Sequence, residues 1–368
     1  MKTPVKDRIN WLTVLKISGA FLAYLIGSGF ATGQEALQFF AAYGLYGVLG
    51  ALLSVVMFIY ICASLMKAGK RFGLRRNEDT FRHFCGPYIG VFLTWYTMIF
   101  IVAVHAIMLA GAGATLQQAF GLPGWIGSSL MAVVSMATLL LGLKKILDVI
   151  AVIGPLIVIM TIFIAVSSLL EHGPDLQKGA RQAIELEILK ASPHWFFSCL
   201  LYVGLTLPGL ASFLPVVGAT ITVEGEINAS AVLGPVVYIS TMVLVVLALL
   251  ASIGDVYQAQ IPIMSLAEDV LLMYGSVFSV IIFLGIYSTV TPLLWTVCSR
   301  FAEDTTRRYR LLVVCLSLVG LLGGSLLPFG KLVNLIYPTV GYAGLLFLVC
   351  VIYSDIKQKG FAVKDGNG

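Results

Sequence analysis

With 368 residues, 59% of them hydrophobic and 11% charged, and a mean hydropathy of +0.97, the chain is excluded from the water-soluble class. Its formal charge of +5 sits in the short connections between apolar runs, where it sets orientation across a membrane and does not point to nucleic acid. No nucleophile–base spacing, metal-ligand spacing or phosphate-binding loop occurs, so neither an enzyme nor a resident cofactor is expected.

Lys2, Lys6 and Arg8 precede the first apolar run, which lacks a small-residue cleavage site and reads as a retained first span. That run extends from about 11 to 42. As one helix it would measure about 48 Å, against a hydrocarbon core of about 30 Å. A break near its middle removes the excess. Gly27, Gly29 and Gly33 mark the place, because glycine tolerates non-helical dihedrals. Bare amides at that depth persist only where they are buried in protein or line a polar cavity. Ser28, Thr32, Gln34 and Glu35 add side-chain polarity there, which is the composition of a binding site.

Nine further spans are predicted at about 45–66, 88–115, 123–142, 146–169, 195–221, 230–253, 272–297, 310–327 and 333–354. With ten spans and a cytoplasmic N-terminus, 19 of the 23 Lys and Arg fall inside, and only Lys178, Arg181, Lys190 and Lys331 fall outside. Both termini are therefore expected in the cytoplasm, and the chain in the cell (inner) membrane. Between spans 5 and 6, the segment 171–194 places Leu176, Ala180, Ala183, Ile184 and Ile188 at helical spacing, and reads as a helix on the outer surface. The acidic segment 254–270, with Pro262, reads as a connection dipping over the outer mouth. Of six cysteines only Cys85 falls in a loop, on the inner side, so no disulfide framework is expected. The terminal KDGNG reads as a disordered end.

Span 6 contains YVGLTLPGLAS, and Gly204, Pro208 and Gly209 predict a second midplane break. Five spans separate it from the first. Five is odd, so the second half enters the membrane from the opposite side. The single domain, 1–368, thus divides into two inverted five-helix units, about 11–169 and 195–354. Matching interruptions in inverted halves point to a transporter site; kinks that serve packing alone are the alternative.

The stretch IGSGFATGQEALQFF at 26–40 resembles the signature of the YkvI-like amino acid permease family, within the amino acid–polyamine–organocation superfamily. The resemblance implies the five-plus-five inverted-repeat fold of the leucine transporter type, with substrate at the breaks of spans 1 and 6, facing spans 3 and 8. In many sodium-coupled members of that fold an ion lies between spans 1 and 8. The matching positions here are Ala23 and Ile26, with Gly285, Ser288 and Thr289 in GIYSTVTP. Their carbonyls and hydroxyls can replace a sodium hydration shell; alternatively the hydroxyls bond back to their own helix before Pro292. Proton-coupled relatives of this fold are described with a lysine on span 5 in place of the ion. Here that span has only Lys144 and Lys145, at its cytoplasmic end.

Glu35 is the one carboxylate within span 1. Burial favours its neutral form, which makes it either a proton carrier or a structural acid. His105, in span 3, is either a substrate or proton ligand or a packed core histidine. The amides of Gly27, Ser28, Gly29 and Phe30 suit a carboxylate, and carbonyls from Tyr202 through Gly204 to Leu205 suit an ammonium group. Gln34, Thr206, Tyr202 and Tyr287 are further polar candidates. The expected function is secondary transport of a small zwitterionic or amine solute, an amino acid foremost, coupled to sodium or protons. The alternative is a membrane ligand sensor on the same fold.

Overall fold

The computed structural model describes residues 9–26, 28–141, 147–270, 272–304 and 306–365, excepting the side chains of 28, 147–154, 272–274 and 358–365. The first span comes in three pieces: α1 (Trp11–Leu25), α2 (Ser28–Thr32) and α3 (Gln34–Phe39), followed by a 3-10 turn at Ala41–Tyr43. The Asn10 side chain caps α1 by accepting the Leu12 amide, and the helix ends where Ile26 takes a ψ of 87°. Gly33 separates α2 from α3 with a φ of 85°, a left-handed conformation that a side chain disfavours.

Next come α4 (Leu45–Phe72) and α5 (Asn77–Phe120). α5 starts well before its apolar run, as a short amphipathic arm. At Gly86 (φ 76°, ψ −176°) the arm turns, and Pro87, which has no amide hydrogen, opens the spanning part. Glu78 on the arm bridges Arg82 and Arg300, each at 3.1 Å. α6 (Gly124–Leu141), α7 (Leu147–His172) and α8 (Leu176–Glu185) follow. α8 is the expected surface helix. Its Ala180 and Ala183 are buried, as is Ile188 beyond it, but Ile184 is 53% exposed and leaves the predicted apolar face.

The second half comprises α9 (Trp195–Thr220), α10 (Glu224–Ala251), α11 (Ile253–Val256), α12 (Pro262–Val270), α13 (Leu272–Phe301), α14 (Arg307–Gly324) and α15 (Phe329–Asp365). Of the end expected to be disordered, Lys364 and Asp365 belong to α15, and residues 366–368 lie outside the described residues. No strand occurs among the described residues. Eight helices there, α4 to α7, α9, α10, α13 and α15, are long and apolar enough to cross a membrane, while α1 is apolar but shorter. α14 opens on Arg307, Arg308 and Arg310, so only its later turns are apolar.

α9 overturns one expectation: it is helical from Trp195 to Thr220, without a break at Gly204, Pro208 or Gly209. Pro208 removes one hydrogen bond, the donor to the Gly204 carbonyl, and the flanking turns hold the helix. That carbonyl is aimed at α15: a Cβ on Gly344 would lie 1.8 Å from it, and a Cβ on Gly204 would lie 2.2 Å from the Gly341 carbonyl. The glycines of α9 and α15 thus serve a close helix crossing, the use small residues have between helices in lipid.

α9 is the centre of the bundle, packed between α4 and α15, with α10 against α4 and α1 against α10. α5 packs against α6, α13, α14 and α15. α12, expected as a cover, is deeply seated: Ile263, Met264, Leu266 and Ala267 are all buried, as is Ile261 just before it.

Candidate functional site

The break in the first span lies inside the bundle. α2 packs against α5, α12 and α13, and α3 packs against α9, α10 and α15. Gly27 lies outside the described residues, as does the side chain of Ser28. Thr32 Oγ1 donates to the Gly29 carbonyl at 3.1 Å, and the Gly33 amide donates to the Phe30 carbonyl at 3.1 Å, so α2 closes on itself as a five-residue helix.

Glu35, in the first turn of α3, is 8% exposed, and its carboxyl folds back over α2. A Cβ on Gly29 would lie 2.1 Å from Glu35 Oε1, so the absence of a side chain at 29 makes room for this acid. Glu35 Oε2 accepts from the Tyr202 hydroxyl of α9 at 3.4 Å, and Tyr202 shares a short hydrogen bond with Tyr238 of α10. Aromatic rings enclose the pair. Phe30 stacks on Tyr238 at 5.5 Å, Phe21 and Phe58 meet it edge-on at 6.2 and 6.0 Å, and Phe40 meets Tyr202 edge-on at 4.8 Å. Helices from both halves of the chain thereby converge on one carboxyl.

Gln34 faces away from the break, toward the end of the bundle that carries α8 and α12. Its Nε2 donates to the Ala259 and Gln260 carbonyls at 2.9 and 3.1 Å. Gln38, one turn later, donates to Gln34 Oε1 at 2.7 Å and to the Gly330 carbonyl at 2.8 Å, and accepts from Asn334 at 3.1 Å. Gln260 Oε1 accepts the Gly330 amide, and Gln118 of α5 exchanges hydrogen bonds with the backbone of Ile261. This network joins α3, α5, α12 and α15 across one mouth of the bundle. Gln38 was legible as the i+4 neighbour of Gln34; Gln118, Gln260 and Asn334 carried no local signal.

The five residues matched to a sodium site are placed as follows. Ala23 is exposed and Ile26 buried at the end of α1. On α13, Ser288 Oγ and Thr289 Oγ1 both donate to the Gly285 carbonyl, at 2.7 and 3.2 Å. Gly285 itself faces α7, where a Cβ would lie 2.4 Å from Ile157 Cδ1.

His105 is fully enclosed between α5, α13 and α14. A Cβ on Gly320 would lie 2.4 Å from its Cδ2, and the Val290 carbonyl faces the ring without closing a hydrogen bond of proper geometry. The structure does not bring it against Glu35. Thr206 Oγ1 donates to the Val203 carbonyl of its own helix, and the Tyr287 hydroxyl pairs with Thr138 of α6. With α9 unbroken, the freed carbonyls expected from Tyr202 to Leu205 reduce to that of Gly204, which faces α15. Tyr202 remains at the site through its side chain. Tyr238 and Phe58 went unread because span aromatics usually just pack, and nothing local distinguishes the pair that meets a carboxyl.

No family model matches the chain. Two Bacillus subtilis (strain 168) proteins resemble it over nearly their whole length. The uncharacterized membrane protein YkvI is 25% identical, with 90% of this chain and 93% of that protein covered; the uncharacterized protein YyaD is 25% identical, with 95% and 99% covered. Among solved structures, inward-facing Mhp1 superposes with a TM-score of 0.60 at 14% identity, covering 90% of this chain and 73% of Mhp1. Closed Mhp1 with bromovinylhydantoin bound, described as a nucleobase-cation-symport-1 family transporter, gives 0.51 at 15% identity, with 91% and 77% covered. The Eremococcus coleocola manganese transporter, in complex with an aromatic bis-isothiourea substituted compound, gives 0.53 at 16% identity, with 94% and 79% covered. The chain is a multi-pass membrane protein with the LeuT-like fold of these neighbours, which are transporters and not enzymes.

Proposed function

We propose that this protein is a secondary transporter of the amino acid–polyamine–organocation type. It moves a small solute bearing an amine, an amino acid foremost, by alternating access across the cell membrane. Ten spans form two inverted five-helix units, α1 to α7 and α9 to α15, with the Arg-rich end and both termini in the cytoplasm. One observation carries the reading: a membrane span is interrupted at Ile26 and again at Gly33, at the heart of the bundle, with a carboxyl folded over the interruption. Non-helical backbone and a lone acid are costly at that depth, and they mark solute and ion pathways. The glutamine network then closes the outer mouth.

Two coupling ions are candidates: sodium at Ala23, Ile26, Gly285, Ser288 and Thr289, or a proton on Glu35. The hydroxyls of Ser288 and Thr289 are already engaged by Gly285, which favours the proton.

The test is uptake of labelled amino acids and amines into proteoliposomes, with sodium or potassium outside and with a proton gradient directed inward, directed outward or absent. Accumulation above empty liposomes is the expected result. With sodium coupling, uptake falls in potassium. Ser288→Ala then raises the sodium needed for half-maximal uptake about tenfold, which corresponds to the loss of about 1.4 kcal/mol of ion binding. Uptake that ignores sodium and follows protons removes that site from the mechanism. Ligands that stabilise the protein against heat but never accumulate would instead support the sensor.

A further inference from the structure

We propose that the Glu35 carboxyl is a shared site for a proton and for the ammonium group of the solute, so that each displaces the other and the protein is an amine–proton exchanger. This deepens the transporter reading and rests on it.

Of the elements packed against α3, α9 contributes Tyr202, α10 contributes Tyr238, and α15 contributes Tyr337, which acts on Tyr238. Tyr43 of the 3-10 turn is committed to Ser192, and α2 has no titratable residue. No Lys, Arg or His acts on Glu35 among the described residues. A buried carboxylate with no cation of its own is one of the costliest groups a membrane protein can hold. Glu35 is therefore stable in two ways, as the neutral acid or paired with a cation that comes from outside.

The surroundings also select the cation. Phe30, Phe58, Tyr202 and Tyr238 pack on one another around the acid, and an organic ammonium that enters trades those ring–ring contacts for attraction to the negative ring faces. An inorganic divalent ion needs several hard or borderline ligands, and no group of three His, Cys, Asp or Glu occurs among the described residues. A solute carboxylate is disfavoured at the same point. α2 is five residues long, so its dipole is small, and the space over Gly29 is filled by the protein's own carboxyl. The group recognised here is the amine, and a carboxylate on the solute is optional.

The exchange balances simply. The protonated Glu35 and an incoming R–NH3+ give a carboxylate–ammonium pair and one proton released to water; only the O–H bond of the acid breaks. On the other side the reverse step returns the proton to Glu35 and frees the amine. Neither crossing carries a bare carboxylate.

The test uses the full-length protein purified in detergent with potassium chloride as the only salt. Ethylammonium, 1,4-diaminobutane and L-alanine are the amine probes, and propionate and propionamide their amine-free counterparts. Thermal stabilisation reports binding, and a pH-sensitive dye in weak buffer reports protons. At least one amine probe is expected to stabilise the wild type and release a proton. Its apparent affinity should rise with pH, by up to about tenfold per unit while the acid form dominates. Glu35→Gln, which keeps the shape and the Tyr202 contact, should lose both responses while its ligand-free midpoint stays close to that of the wild type. If that variant fails to fold, proton release and the pH profile of the wild type decide alone. Stabilisation by propionate, or amine binding that is equal in E35Q and releases no proton, overturns the exchange site and leaves a small-solute transporter standing. No response to any probe, together with no uptake of them into liposomes, overturns both.

Discussion

Gln38→Leu is expected to open the mouth that the glutamine network closes. Gln38 is 1% exposed, and its amide makes hydrogen bonds to Gln34, Gly330 and Asn334, which no aliphatic side chain of similar size reproduces. Leucine leaves the Gly330 carbonyl short of a partner, and each buried polar group so abandoned costs about 1–3 kcal/mol. That cost falls on the state in which the mouth is closed. In a state with this mouth open the same groups reach water, so the equilibrium moves toward that state by the difference. A shift of about 1.4 kcal/mol changes the ratio of the two states tenfold. A cysteine introduced at Thr32, on a wild-type background stripped of its exposed thiols, should therefore react with an external maleimide about tenfold faster in Q38L. An unchanged rate together with a lowered thermal midpoint would mean that the network is structural and does not gate.

Gly344→Ala should destabilise the bundle strongly for a single added methyl. The new Cβ would stand 1.8 Å from the Gly204 oxygen and 2.5 Å from its carbonyl carbon, and both are backbone, which cannot swing aside as a flexible side chain can. α9 and α15 must separate, and α9 is also the helix that holds Tyr202 against Glu35. Overpacking of a tight contact costs about 1–3 kcal/mol, so a fall in thermal midpoint and loss of solute-dependent stabilisation are expected together. Gly19→Ala is the control. Nothing lies within 4 Å of its Cβ position on α1, and alanine favours the helix by about 1 kcal/mol over glycine. A midpoint for G344A no lower than that for G19A would show that the two helices can part freely.

The first span was legible because its break follows from a length. A run of that size cannot fit the hydrocarbon as one helix, and its glycines are the cheapest places to interrupt it, so the interruptions at Ile26 and Gly33 could be read locally. The amphipathic period of α8 was legible too, apart from Ile184, since periodicity reports a face and not which part of it the bundle covers. Glu35 drew attention through its depth alone.

What the sequence by itself determined was thus set by short-range and one-dimensional physics: span lengths, helix periods, charge along the chain, and the place where one helix must break. Only the tertiary structure decided the rest. Gly204 and Pro208 suggested a second break, but Gly204 is small because Gly341 and Gly344 press against it from α15. Tyr238 belongs to the site because α10 brings its hydroxyl to Tyr202, and Gln34 serves the mouth because the chain at Ala259 and Gln260 offers it two carbonyls. Each of these depends on a partner far along the chain. The energy of a polar or glycine residue in a membrane is set by the group that meets it, and that group is specified only once the helices have packed.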